Sequence, residues 1–88
     1  ANIQSLNQAL KNKKFNDMRK WVVDNIDQDP AGLYKELYQN FYNALLPQSI
    51  PPMVILLAEY QYKNAFVADP ELNMVACLTE IMGECKFK

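Results

Sequence analysis

The stretch from Leu33 to Leu46 reads LYKELYQNFYNALL, and its apolar residues recur with the period of an α-helix. At about 100° per residue, these residues form two stripes, and the second stripe is turned by roughly 100° from the first. A surface helix of a small domain needs only one stripe, so the second indicates a central helix or one that also contacts a partner. The first stripe contains Leu33, Leu37, Phe41 and Ala44, and the second contains Tyr34, Tyr38, Tyr42 and Leu45.

The composition is that of one small helical domain. The chain has 88 residues, and half of them are hydrophobic, which is enough for a thin core. The only glycines, Gly32 and Gly83, are too few for an all-β fold with many tight turns. The formal net charge of −1 lacks the basic excess of a stand-alone nucleic-acid-binding protein.

Hydrophobic periodicity predicts an all-α, compact bundle of about five helices and no sheet. We place the helices at about residues 2–12, 16–27, 30–46, 51–64 and 70–84. The last segment is apolar almost all round, which is typical of a helix that is buried or lies at an interface. The predicted core contains Leu6, Leu10, Met18, Val22, Ile26, Leu33, Leu37, Phe41, Val54, Leu57, Leu72, Val75 and Met82.

Short polar residues and prolines predict where the helices begin. Asp29-Pro30 and Asp69-Pro70 each combine a good N-cap residue with a proline suited to the first helical position. Asn16 is the predicted N-cap of the second helix. Ser49 or Ile50 is the predicted N-cap of the fourth.

Neither the acidic nor the basic clusters predict a metal or phosphate site. Asp24, Asp27 and Asp29 lack the alternating ligands, the glycine and the distal glutamate of a calcium loop. The Lys11–Lys14 cluster, which reads KNKK, could contact phosphate, but we favour a solvated turn at the negative end of the first helix dipole.

The cysteines and the apolar runs indicate a reducing compartment and no membrane partner. Cys77 and Cys85 lie about 12 Å apart along one predicted helix, which is beyond disulfide reach, so we expect free thiols. The longest apolar run, residues 53–58, is too short to cross a bilayer. The chain begins at Ala1, as expected for a piece excised from a longer protein or after removal of an initiator Met.

Four short stretches in the second half carry a resemblance. They are PQSI at 47–50, QY at 61–62, EL at 71–72 and ECKFK at 84–88. In order and spacing, this set resembles the C-terminal end of the clamp-loader ATPase subunit of T4-like bacteriophages. The resemblance covers about residues 33–88, whereas the preceding residues share only the helical pattern.

The resemblance implies that residues 1–88 are a single helical collar domain, the C-terminal part of a longer AAA+ ATPase. The implied full-length subunit binds ATP and magnesium in the cytoplasm of the infected host cell. It joins other clamp-loader subunits in a collar ring, and it acts on the sliding clamp and primer–template DNA through domains outside this sequence. The phosphate-binding Gly-x-x-x-x-Gly-Lys-Ser/Thr loop does not occur in the 88 residues. We therefore assign this chain no catalytic, cofactor-binding or metal-ligating residue.

The surplus apolar residues of the third and fifth helices form the predicted subunit interface, since Tyr and Met are enriched where proteins meet. We expect part of the tyrosine stripe to stay exposed in the isolated domain. The predicted interface contains Tyr34, Tyr38, Tyr42, Met74, Leu78 and Ile81.

Two other functions stay open. The Asp-Pro helix starts recur about forty residues apart, near the period of HEAT-like repeats, which would suit a fragment of an α-solenoid that binds proteins. A small enzyme is the third hypothesis, but the chain has no histidine, and its serines, Ser5 and Ser49, lie in a helix and at a cap. Acid–base chemistry by Glu59, Glu80 or Glu84 would require a pocket.

Overall fold

Residues 2–26 and 29–88 are described by the computed structural model, and within them the chain forms five α-helices and no strand. The predicted all-α fold is therefore confirmed. The predicted end of the second helix at Asp27 lies outside the described residues, and the other predicted bounds are correct within two residues. The helices are α1 (Ile3–Lys11), α2 (Phe15–Asn25), α3 (Pro30–Ala44), α4 (Ile50–Asn64) and α5 (Pro70–Glu84), with a 3-10 turn at Pro47–Ser49.

The fifth helix lies at the centre of the bundle. It packs against α1, α2 and α4, whereas α3 packs against α1 and α4. Packing against three neighbouring helices explains the apolar face of α5 that is buried within the chain. Its buried residues are Asn73, Met74, Cys77, Leu78, Ile81 and Met82.

The two Asp-Pro pairs begin helices as predicted. The Asp29 side chain accepts a hydrogen bond from the Gly32 N–H at 3.0 Å, and Pro30 is the first residue of α3. The Asp69 side chain accepts hydrogen bonds from the N–H groups of Glu71 and Leu72, at 3.0 and 3.2 Å. Each cap satisfies backbone donors that have no partner inside the helix.

The predicted N-cap at Asn16 is wrong, because the turn that ends α1 leads directly into α2 at Phe15. Lys13 has a left-handed φ of 56°. Its N–H donates to Leu10 O at 3.3 Å, and the N–H of Lys14 donates to Ala9 O at 2.8 Å. These are the two hydrogen bonds of a Schellman motif, here built with a lysine at the position that favours glycine.

A short antiparallel bridge ends α3 earlier than predicted. Leu45 is extended and lies opposite Phe87. The Leu46 N–H donates to Lys86 O at 2.9 Å, and the Lys88 N–H donates to Ala44 O at 3.0 Å. Ser49 is the N-cap residue of α4 as predicted, but its side chain makes no capping hydrogen bond, because Pro51 and Pro52 at the second and third helical positions have no N–H to donate. Its hydroxyl instead accepts a hydrogen bond from the Lys86 N–H at 2.8 Å.

Three of the predicted core positions differ from the structure. Val54 and Leu72 are exposed, and Val75 is half-buried. On α4 the buried positions are Met53 and Leu57, one face over from Val54. Both helices are apolar on more than one side, so periodicity alone did not distinguish the face that packs from the face that meets solvent. The other predicted core residues are buried, namely Leu6, Leu10, Met18, Val22, Ile26, Leu33, Leu37, Phe41, Leu57 and Met82.

One buried polar side chain joins three helices. The Asn73 amide on α5 donates to the Tyr34 hydroxyl on α3 at 2.9 Å and to the Tyr60 carbonyl on α4 at 3.0 Å. A buried amide without partners would destabilise the fold, so these two bonds fix how the three helices meet.

Candidate interaction surface

The structure corrects four of the six predicted interface residues. Tyr34, Met74, Leu78 and Ile81 are buried within this chain, each with a relative exposure of 1% or less. Tyr34 is held there by its hydrogen bond from Asn73, and the other three contribute to the core around α5. The burial arises because α5 is covered by three helices of its own chain, which leaves its second stripe no free side for a partner.

Tyr38 and Tyr42 remain exposed on α3, at 41% and 54%. Their rings meet edge to face with centroids 6.3 Å apart, so they form one continuous aromatic surface that we call the tyrosine pair. Each ring combines an apolar body with a polar hydroxyl, which is the type of side chain enriched at protein interfaces. The exposure expected for part of the stripe is present, and its contact with a partner stays a prediction.

A second group of exposed apolar residues follows α4 and the connection to α5. Ile55 and Tyr62 are exposed and lie seven residues apart, which places them on one face of α4. The ring of Tyr62 packs against that of Phe66 with centroids 5.2 Å apart, and both rings are exposed. Leu72, predicted as core, is 66% exposed at the start of α5. Sequence reasoning did not identify this group as a candidate surface, although the spacing of Ile55 and Tyr62 was a usable signal.

The ionisable groups of the core are poor nucleophiles. Burial, reinforced by the nearby Glu80 charge, raises the pKa of Cys77 to about 12. Burial also raises the pKa of Cys85. The hydrogen bond that the Tyr60 hydroxyl donates to Glu80 raises the pKa of Tyr60 to about 12, with a further contribution from burial. A reactive cysteine requires a lowered pKa and access to solvent, and neither thiol has them.

Two of the candidate acid–base residues, Glu59 and Glu80, make local side-chain contacts. Glu59 pairs with Lys63 at 3.0 Å, and Glu80 accepts the Tyr60 hydroxyl, so each carboxylate is engaged in a local contact. Across residues 2–26 and 29–88, no group of three or more His, Cys, Asp or Glu side chains is placed to hold a metal ion. Asp27 of the acidic cluster lies outside the described residues.

Lysines at one end of the bundle come together in a way that the sequence did not suggest. Lys13 is more than part of a solvated turn, because its Nζ donates to the Met82 carbonyl at 2.7 Å near the end of α5. A groove beside it is lined by Lys11, Lys13 and Lys86, and an adjacent groove by Lys11 and Lys88. Only the Lys11–Lys14 cluster is visible in the sequence, since nothing local places Lys86 and Lys88 beside it.

None of the helices in the described ranges has both the length and the apolarity needed to cross a membrane.

Comparison of the chain with protein-family models and with curated proteins found no match.

Proposed function

We propose that this chain is the C-terminal oligomerisation domain, or collar domain, of a phage clamp-loader ATPase subunit. The resemblance of residues 33–88 carries the proposal. The exposed tyrosine pair supports it, because Tyr38 and Tyr42 lie on a helix whose first stripe is already used in the core. A domain with one face packed inside and another left free is suited to joining neighbouring subunits.

In this proposal the domain holds subunits in a ring, and the AAA+ domains outside this sequence do the chemistry. Those domains would bind ATP and magnesium and would load the sliding clamp onto primer–template DNA. The domain itself would be non-catalytic, in keeping with its protonated, buried thiols. We expect the isolated chain to be a monomer or a weak oligomer, since the tyrosine pair alone is a small contact.

The α-solenoid alternative has less support. In a solenoid each repeat contacts only its neighbours along the chain. Here α5 packs against both α1 and α2 as well as α4, which closes the chain on itself. The hydrogen bonds that Asp29 and Asp69 accept show that both helix starts are capped, but a shared capping chemistry does not make a repeat.

The test is the double substitution Tyr38→Ser and Tyr42→Ser in the full-length subunit. We expect assembly of the subunits, measured by sedimentation velocity, to weaken by about tenfold or more, because two aromatic rings leave the interface. The same double variant of the 88-residue chain should keep its helical circular-dichroism spectrum, since both side chains are exposed.

The matched control is Tyr62→Ser with Phe66→Ser, which removes a second exposed aromatic pair from α4 and the following turn. Assembly that weakens equally in both double variants would show a general loss of surface hydrophobicity and would contradict the assignment of the tyrosine pair. Unaltered assembly in the Tyr38 and Tyr42 variant would do the same.

A further inference from the structure

Two grooves at one end of the bundle form a continuous basic surface. Both are lined by Lys11 of α1 and by Phe87. Lys13 and Lys86 complete the first groove, and Lys88 completes the second. Among the residues that the structure describes, no aspartate or glutamate lines either groove. We call this surface, with its lysines Lys11, Lys13, Lys86 and Lys88, the basic groove.

The four lysines of the basic groove make no ion pair within residues 2–26 and 29–88. Among the described residues, Lys63 and Glu59 form an ion pair with an N···O distance within 4.0 Å, and both lie on α4, outside the groove. Four lysine side chains that make no ion pair create a local positive potential, although the formal net charge of the whole chain is −1. The surface is therefore complementary to an acidic partner.

The backbone beside the groove has a free edge. Lys86 O and Lys88 N are both used in the bridge to Ala44–Leu46. Backbone groups alternate in direction along an extended strand, so the N–H and C=O of Phe87 point to the opposite edge. Neither group has a hydrogen-bond partner within residues 2–26 and 29–88. Such an edge can accept a further strand.

We propose that the basic groove binds an extended acidic segment of a partner polypeptide. The segment pairs its backbone with the free N–H and C=O of Phe87, and its carboxylates contact Lys11, Lys86 and Lys88. Lys86 and Lys88 lie two residues apart and so share one face of the extended segment, where alternating acidic residues of the partner would meet them. This interaction is additional to the proposed ring contact, which uses the tyrosine pair on α3.

A peptide fits these features better than a nucleic acid. A peptide backbone offers both the donor and the acceptor that the Phe87 edge requires, whereas a phosphodiester backbone offers acceptors only. Single-stranded nucleic acids also rely on exposed aromatic rings for base stacking. The one aromatic ring that lines the groove, Phe87, is half-buried and packs edge to face on Phe41 with centroids 5.7 Å apart.

The first experiment measures binding of a fluorescein-labelled peptide of alternating glutamate and valine to the 88-residue chain by fluorescence polarisation. We expect Lys86→Gln with Lys88→Gln to weaken binding by about fivefold to tenfold, as expected for the loss of two ion pairs. The control, Lys20→Gln with Lys35→Gln, removes the same charge from exposed positions that do not line the groove and should change binding by less than about twofold. Equal weakening in both variants, or no binding by the parent chain, would overturn the proposal.

The second experiment tests the backbone pairing. Two further peptides carry N-methyl groups on alternate residues, one peptide on the glutamates and the other on the valines. Only one set of N–H groups faces a neighbouring strand, so only one of the two peptides should lose binding. Equal affinity of both with the parent peptide would exclude strand addition.

Amide hydrogen exchange supplies an independent measurement on the protein itself. The Phe87 N–H should exchange at least about tenfold more slowly when the peptide is bound. The Lys88 N–H, already donated to Ala44 O, is an internal reference that should change little. A single-stranded oligothymidylate of equal charge is the competing ligand. If it binds as tightly as the peptide and leaves Phe87 unprotected, the groove is a phosphate-binding surface and the proposal fails.

Discussion

Lys13 combines two opposing effects in a single residue. Its left-handed backbone is unfavourable by about 1 kcal/mol for a residue with a side chain. Its Nζ donates to the Met82 carbonyl, close to the negative end of the α5 dipole, which stabilises by a similar amount. The strained backbone persists because the side chain tethers the α1–α2 turn to α5.

We therefore expect Lys13→Met to lower the free energy of unfolding by about 1 kcal/mol, since it keeps the backbone strain and removes the hydrogen bond. Lys13→Gly should stay within about 0.5 kcal/mol of the parent, because it relieves the strain while losing the same bond. Urea denaturation followed by circular dichroism measures both. If Lys13→Gly lowers the free energy of unfolding as much as Lys13→Met does, the left-handed φ of Lys13 imposes no measurable strain.

The buried thiol and the Tyr60 hydroxyl predict a loss of stability in alkali. The ordinary pKa of 9.0 for Cys77 and of 10.0 for Tyr60 is raised to about 12 in the folded chain. The folded state therefore holds more protons than the unfolded state between about pH 9 and pH 12, and stability falls as pH rises through this window.

The urea midpoint should accordingly be flat from about pH 7 to 8 and should fall from pH 9 upward. Cys77→Ala and Tyr60→Phe should each reduce the slope of that fall, whatever they do to the stability at pH 7. A slope unchanged in both variants would show that neither group is responsible.

At the scale of helices, the Asp29 cap depends on the glycine that follows it. A Cβ built on Gly32 would lie 2.8 Å from Cγ of Asp29, so alanine there would displace the capping carboxylate. A Cβ on Gly83, in the last turn of α5, meets nothing within 4 Å. Substitution by alanine should therefore change the free energy of unfolding in opposite directions at Gly32 and Gly83.

Gly83→Ala should raise the free energy of unfolding by about 0.5–1 kcal/mol through helix propensity. Gly32→Ala should lower it by about 1 kcal/mol, because loss of the N-cap outweighs that gain. Chemical denaturation of the two single variants measures both changes in the free energy of unfolding. Equal stabilisation would mean that the carboxylate can move aside without losing its hydrogen bond.

These caps also show which parts of the helices were predictable. Asp29 and Asp69 accept hydrogen bonds from N–H groups two or three residues away, so the local sequence is enough to predict both caps. Asn16 failed as a cap because a turn closed by Ala9 and Lys14 determined where α2 begins. Ser49 is the N-cap residue of α4, but it forms no capping hydrogen bond because Pro51 and Pro52 lack the N–H groups that it would accept from. Local chemistry therefore predicts a cap only where the following N–H groups are present and where no preceding turn determines the start of the helix.

At the scale of the whole molecule, the number and order of helices were predictable, but the central helix was not. Two stripes on α3 suggested a central position, yet α5 is the helix with the most buried residues and packs against α1, α2 and α4. Which apolar face of α4 or α5 is buried depends on which other helices pack against it in the folded chain. The basic groove was not predictable from the sequence either, because Lys11 and Lys86 line the same groove only in the folded chain.

The central position of α5 predicts that the chain unfolds as one unit. Leu78→Ala, in the middle of α5, should destabilise by about 3 kcal/mol and should accelerate amide exchange in α1 and α4 alike. Leu72→Ala, on the exposed side of the same helix, should change stability by less than about 0.5 kcal/mol. If Leu78→Ala changes the free energy of unfolding only slightly, the Leu78 side chain is not part of the core, and its assignment to a subunit interface is favoured again.

The place of α5 in chain order also affects how the protein is made. Ribosomes add about 5–20 residues per second, so α5 is completed about 1–4 s after α4. Until then the nascent chain lacks the helix that covers α1, α2 and α4, and the buried side chains Met53 and Leu57 on α4 have no complete site to enter. A released chain truncated before Pro70 would expose an uncovered apolar surface, which chaperones would bind and from which aggregation could start.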